Sequence, residues 1–244
     1  MPHNVFHNPT LVFLVSVSFF GLFLVPMFAS HPPTEQEPLF WRKPLIGLIY
    51  GSICALGILA VFLPKKCSGV FHFERHLNEL SNSRKSASKR DLFTIVGHHP
   101  NCGNFSAHTF QINNMRLCGG CTGLFLGALS AFVGAAVYFF GNWHVAQSAN
   151  TILLVGVLGV ASGLLQHLLF NVRKSFVRLF LNSFFVFGAF LILIGIDELI
   201  QSLAIDLFII ALSVFWLHTR ISLSEWSHER VCYSCKVVSC RFRR

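Results

Sequence analysis

Charge is scarce in this chain of 244 residues. Asp, Glu, Lys and Arg make up only 12% of it, about half the ~25% usual for a water-soluble domain. Acidic residues are the scarcest, 10 against 19 Lys and Arg, which leaves a formal net charge of +9. So little charge excludes a disordered or solvating chain, and no Gly-X-Y period points to collagen. The length and apolarity also exclude a small disulfide-stapled secreted domain. Motifs of familiar enzymes are missing: no phosphate-cradling Gly loop, no His-Glu-x-x-His and no Ser nucleophile elbow. What the chain does have is apolar surface. Residues 53% hydrophobic and a mean hydropathy of +0.60 describe an integral membrane protein.

A helix crossing a bilayer core of ~30 Å needs about 20 mostly apolar residues. Six stretches qualify: Thr10 to Ala29, Pro44 to Leu63, Thr122 to Phe140, Thr151 to Phe170, Phe176 to Ile196 and Ile200 to Leu217. The first lacks a Lys/Arg-bearing n-region and is long for a signal peptide, so it reads as a retained helix. The expected fold class is an all-α integral membrane protein. It is a six-helix transmembrane bundle with a cytoplasmic Cys/His metal-binding cap. Its parts are an N-terminal hairpin of two helices (1–64), a long loop (65–121), a four-helix bundle (122–218) and a Cys-rich tail (219–244).

With six spans, all basic residues except Arg42 and Lys43 fall on the side that holds the N-terminus, the long loop, the turn near 171–178 and the tail. Lys and Arg collect on the cytoplasmic side of membrane proteins. Both termini are therefore expected in the cytoplasm, with the protein in the cell membrane. Small residues at spacing four are the sites of close helix contact in lipid. They occur at Gly47, Gly51 and Ala55, at Gly123, Gly127, Ala131 and Ala135, and at Gly159 and Gly163. The second, third and fourth spans are expected to form the tight centre.

Cys54 lies inside a span, where it fills space like a small apolar side chain. The other cysteines all fall on the side assigned to the cytoplasm, where thiols stay reduced and paired cysteines suggest metal or redox chemistry. In the long loop, His99 and Cys102 are separated by two residues, as are Cys118 and Cys121, and fifteen residues lie between the pairs. Two such knuckles match a tetrahedral zinc site, with His98 or His108 able to replace His99. The tail carries His228, Cys232, Cys235 and Cys240, a second sufficient set. Either each cluster holds its own metal, or Cys118/Cys121 and Cys232/Cys235 join in one four-cysteine site that clips the tail under the bundle. Zinc suits mixed His/Cys ligands, and an iron–sulfur cluster is the alternative. Cys118 and Cys121 open the third span, where the helix dipole favours thiolate. That suits metal ligation, and it equally suits a redox dithiol.

The run Cys118-Gly-Gly-Cys-Thr-Gly-Leu-Phe-Leu-Gly127 resembles a small prokaryotic membrane-protein family of unknown function. That family has an upstream Cys/His element, then Cys-x-x-Cys-Thr-Gly entering a glycine-bearing span. A later span carries Gly-x-x-Gln, and an Arg follows on the next. Here His98, His99, Cys102 and His108 stand upstream, with Gly163, Gln166 and Arg178 in the matching later places. The resemblance covers about residues 98–190 and implies a metal-site architecture, without a reaction.

Ionisable groups within spans are costly and point to function by default. Gln166, His167 and Arg178 sit near the level of the cysteine cap and are expected to contact it, unless Arg178 snorkels to the interface. Asp197 and Glu198 read as charges in the outer turn between the last two spans. Asp206 lies about nine residues past that turn, roughly 9–14 Å deep. Such a carboxyl needs a partner within the bundle, for instance Asn182 or Ser183. In the long loop, Phe71 to Leu80 reads as an interfacial helix carrying His72 and His76. Arg84, Lys85, Lys89 and Arg90 form a Ser-rich basic linker expected to lie along anionic lipid. That short tethered run makes a poor nucleic-acid site, so no nucleic-acid partner is expected, while homo- or hetero-oligomers are open. The functional expectation is a metal-stabilised membrane protein of structural or interaction type, with no clear sign of an enzyme. A thiol oxidoreductase using Cys118 and Cys121, and a small-solute or ion carrier using Asp206, are the alternatives. A carrier usually shows several buried charges and broken helices at mid-membrane; neither is evident.

Overall fold

The computed structural model describes residues 8–31, 40–62, 108–112, 115–141, 145–168 and 174–233. These form six helices: α1 (Pro9–Ser30), α2 (Arg42–Phe62), α3 (Gly119–Phe140), α4 (Ala149–Leu168), α5 (Ser175–Ile200) and α6 (Leu203–Tyr233). All six are long and apolar enough to cross a membrane. One small hairpin, absent from the expectation, pairs β1 (Thr109–Ile112) with β2 (Met115–Cys118) and leads directly into α3.

Local chemistry sets several helix ends. Asn8 caps α1 by accepting from the Leu11 N–H at 3.4 Å, and Pro9 occupies the first turn, where its missing N–H costs nothing. Between α5 and α6 the chain turns in two residues. Gln201 there adopts a left-handed conformation (φ 55°), and its N–H returns to the Asp197 carbonyl.

The glycines decide the packing. Along α3, Gly119 meets Ser175, Gly123 meets the Leu179 carbonyl, Gly127 the Ser183 carbonyl and Gly134 the Phe190 ring. The partner advances in step with the glycine, so α3 and α5 run parallel. On α4 the order reverses. Gly156 meets Gly188 and Ile192, Gly159 meets Phe184 and Gly188, and Gly163 meets Phe185, so α4 and α5 are antiparallel. Backbones approach this closely because a Cβ built on Gly127 or Gly156 would lie 2.7 or 2.8 Å from a carbonyl oxygen of α5. The tight centre is therefore α5 between α3 and α4, not α2, α3 and α4. The glycine stripe of α2 packs on the outer side of α3, Gly47 against Phe139 and Phe140. Small-residue spacing marks a contact face but not the helix that fills it.

α1 lies antiparallel to α6. Ser18 Oγ donates to Thr219 Oγ1 at 2.9 Å, Trp216 Nε1 donates to the Ser18 carbonyl at 3.0 Å, and Phe28 meets Phe208 edge-on at 5.8 Å. Each helix thus runs opposite to its neighbour in sequence. The starts of α1, α3 and α5 share one end of the bundle with the ends of α2, α4 and α6. The apolar run of the last span stops near Leu217, yet α6 continues to Tyr233. Its 31 residues extend about 46 Å, against a hydrocarbon core of ~30 Å. The polar residues from Ser222 onward occupy the surplus. Hydropathy records where lipid ends, whereas helical hydrogen bonds continue into water.

Candidate functional site

Cys118 closes β2 and stands as the N-cap of α3. Cys121 follows one turn later, and neither cysteine is in a disulfide. The Cys118 thiol is pulled down to about 6. The Cys121 side chain hydrogen-bonds its sulfur, and this is the largest influence; burial opposes it. The backbone N–H groups of Cys121 and Gly120 and the Arg220 guanidinium add to the lowering. A sulfur at a helix N-terminus gains in this way from amides that have no intrahelical acceptor.

The hairpin pairs Thr109 with Cys118, which brings the preceding residue, His108, to the same place. His108 is buried, and Arg178 Nη1 donates to its Nδ1 at 3.1 Å. Arginine only donates, so this bond places the ring proton of a neutral His108 on Nε2. The His228 ring of α6 lies 5.3 Å from that of His108, tilted by 55°. Behind the thiols sits Asn182, nearly fully buried. It accepts from Gln166 Nε2 at 3.0 Å and from Arg220 Nη2, and donates to the Arg178 carbonyl at 2.6 Å. Gly120 fits between them; a Cβ there would lie 3.8 Å from Asn182 Nδ2 and 3.9 Å from Cys118 Sγ. Among the described residues, Thr122 Oγ1, Ser175 Oγ and Gln166 Oε1 are buried here without a hydrogen-bond partner.

Of the expected site residues, His108, Cys118, Cys121, Arg178 and His228 therefore meet at one end of the bundle, joined by Gln166. His167 follows Gln166 in the last turn of α4. Cys232 lies one helical turn after His228 on the backbone of α6. His98, His99, Cys102, Cys235 and Cys240 lie outside the described residues, as do the interfacial and basic parts of the long loop. Among the described residues, no three His, Cys, Asp or Glu side chains form a group able to hold a metal ion.

Asp206 is not in this place. Its expected partner Asn182 lies 15 residues before Asp197 on α5, about 22 Å along the helix. Asp206 instead receives Arg42 Nη1 of α2, which also donates to Asp197 Oδ1 at 2.6 Å. Tyr138 Oη of α3 lies 2.6 Å from Asp197 Oδ2 and 2.7 Å from Glu198 Oε2, and Lys43 Nζ reaches Glu198 at 3.4 Å. Asp197 and Asp206 are both 0% exposed and Arg42 is 4% exposed. Asp197 and Glu198 are thus not turn residues. The turn comes later, at Gln201, and leaves them in the last helical turn of α5. Carboxylates there oppose the helix dipole, and Arg42 and Lys43 offset that. The sequence held one signal for this cluster: Arg42 and Lys43 are the two exceptions to the side-counting of positive charge, and the buried carboxyls share their side.

No family model matches the chain, and neither a curated protein nor a solved structure does. Gly120, Gly123, Gln166 and Arg178 are neighbours of Asn182 in space.

Proposed function

We propose that the protein is a polytopic membrane protein of the cell membrane whose cytoplasmic face is held together by a zinc centre of structural or interaction role. The zinc uses Cys118 and Cys121 from the start of α3 and ligands from the end of α6, so that loop and tail share one site. One observation carries this reading. His228 contacts His108, 120 residues away in sequence, beside the Cys118–Cys121 pair. The same helix has Cys232 one turn further on and leads to Cys235. Two thiols at one helix start and a second pair delivered on a helix end supply the four ligands of a closed structural site. His108, with Nδ1 engaged by Arg178, orients the site instead of ligating. His99, Cys102 and Cys240 remain for a second ion of the same kind.

Placement of this face in the cytoplasm rests on the Lys and Arg it collects. The linker with Arg84, Lys85, Lys89 and Arg90 then meets anionic lipid. A second reading draws on Cys118 and Cys121 being reduced and in hydrogen-bond contact: a dithiol that cycles with a disulfide.

Metal analysis of the purified full-length protein separates these. One or two zinc ions per chain are expected, with about one lost on Cys118→Ser and equally on Cys232→Ser. Zinc lost with Cys118→Ser but kept with Cys232→Ser overturns the shared site. No metal together with a reversible Cys118–Cys121 disulfide overturns the zinc reading in favour of the dithiol.

A further inference from the structure

At the end of the bundle away from Cys118, three carboxyls face two cations. Asp197, Asp206 and Glu198 stand with Arg42 and Lys43. If every group were ionised the cluster would carry one uncompensated negative charge, which a buried site does not tolerate cheaply. The hydrogen bonds are short by the same amount. Asp206 Oδ1 is buried and has no donor among the described residues. Tyr138 lies within bonding distance of two carboxylate oxygens and has one proton to give. Asp197 and Asp206 converge on a single guanidinium nitrogen, and two carboxyls held so close do not both ionise.

We infer that this cluster is a proton-binding site in which Asp206 holds one exchangeable proton. Asp206 is the holder because it is fully buried and, among the described residues, Arg42 is its one side-chain donor. Asp197 has Arg42 and Tyr138, and Glu198 has Lys43 and Tyr138. Asp206, Asp197, Tyr138 and Glu198 form a continuous chain that ends beside Lys43, which is 26% exposed. Asp206 passes its proton to Asp197, Asp197 hands it to Tyr138 as Tyr138 gives its own proton to Glu198, and Glu198 releases it at that edge. Among the described residues, His167 lies at the opposite end of α4, and His31, at the end of α1, is exposed and bonds Ser30.

The test uses the full chain in lipid nanodiscs at neutral pH, read by infrared spectroscopy. A carbonyl stretch of a protonated carboxylic acid is expected, shifted on exchange into deuterated water. It should vanish in Asp206→Asn and persist in Glu198→Gln. Asp206→Asn should also melt at the wild-type temperature, since the amide mimics the neutral acid. Absence of the band in wild type overturns the inference. Loss of the band in Glu198→Gln, or its survival in Asp206→Asn, overturns the assignment to Asp206. Failure of Asp206→Asn to fold shows that the ionised form is required and overturns it too.

Discussion

Replacing Asn182 with Leu removes one side chain and strands two donors. Leu has similar volume, so the change empties little space and isolates the hydrogen bonding. Gln166 Nε2 loses an acceptor at 3.0 Å, and an Arg220 N–H loses its acceptor in the same step. Single interhelical hydrogen bonds in membrane proteins are worth ~0.6 kcal/mol on average, because freed groups find other partners. A donor left buried without one costs about 1–3 kcal/mol, more when charged. The second regime governs here, since Gln166 and Arg220 are each 3% exposed and lipid offers no acceptor. With Arg220 at the low end of that range because the guanidinium has further contacts, the total is about 3 kcal/mol. Unfolding in mixed micelles by a denaturing detergent, followed by tryptophan fluorescence, measures it. Asn182→Asp keeps the acceptor and should retain most of the stability. The Gln166→Leu/Asn182→Leu pair should cost less than the sum of its members, because the amide donor goes with its acceptor. A loss below about 0.5 kcal/mol for Asn182→Leu would refute Asn182 as the knot that holds α4, α5 and α6 behind the thiols.

Two further expectations follow from packing and topology. Gly123→Ala places a methyl against the Leu179 carbonyl and should cost about 1–3 kcal/mol in the same assay. Gly57→Ala meets nothing within 4 Å and should be neutral or stabilising by about 0.5–1 kcal/mol. Equal effects at the two glycines would contradict the α3–α5 contact. Phe40 is 93% exposed just before α2, at the Asp206 end, so Phe40→Cys in intact cells should gain labelling by a membrane-impermeant thiol reagent. If the orientation proposed above holds, the wild-type chain should stay unlabelled; the reverse pattern would invert that orientation.

The six spans were legible because crossing a membrane is a requirement on consecutive residues. Each segment must be apolar over its own length whatever its neighbours do; α1, α3 and α5 contain the expected stretch, α2 and α4 cover nearly all of theirs, and α6 begins at Leu203 instead of Ile200, which closes α5. The Cys118–Gly-Gly–Cys121 turn at the start of α3 was legible for a similar reason: a dithiol and a helix N-terminus are adjacent in the chain. The end of α6 was read short, at Leu217 instead of Tyr233, because loss of hydropathy marks the end of lipid and not of the helix. The hairpin Thr109–Ile112/Met115–Cys118 carried no signal strong enough to stand out from a loop.

Length, hydropathy, the alternation of helix directions and the sorting of basic residues were thus determined by the sequence itself, since each is a property of neighbours along the chain. The tertiary structure alone decided who faces whom. It gave Asp206 to Arg42, 164 positions away, and not to Asn182. It made α5 the central helix and turned His228 onto His108. Partners of this kind depend on the order and rotation of helices about one another. In lipid that is settled by which small residues let two backbones touch and which buried charges find an opposite one.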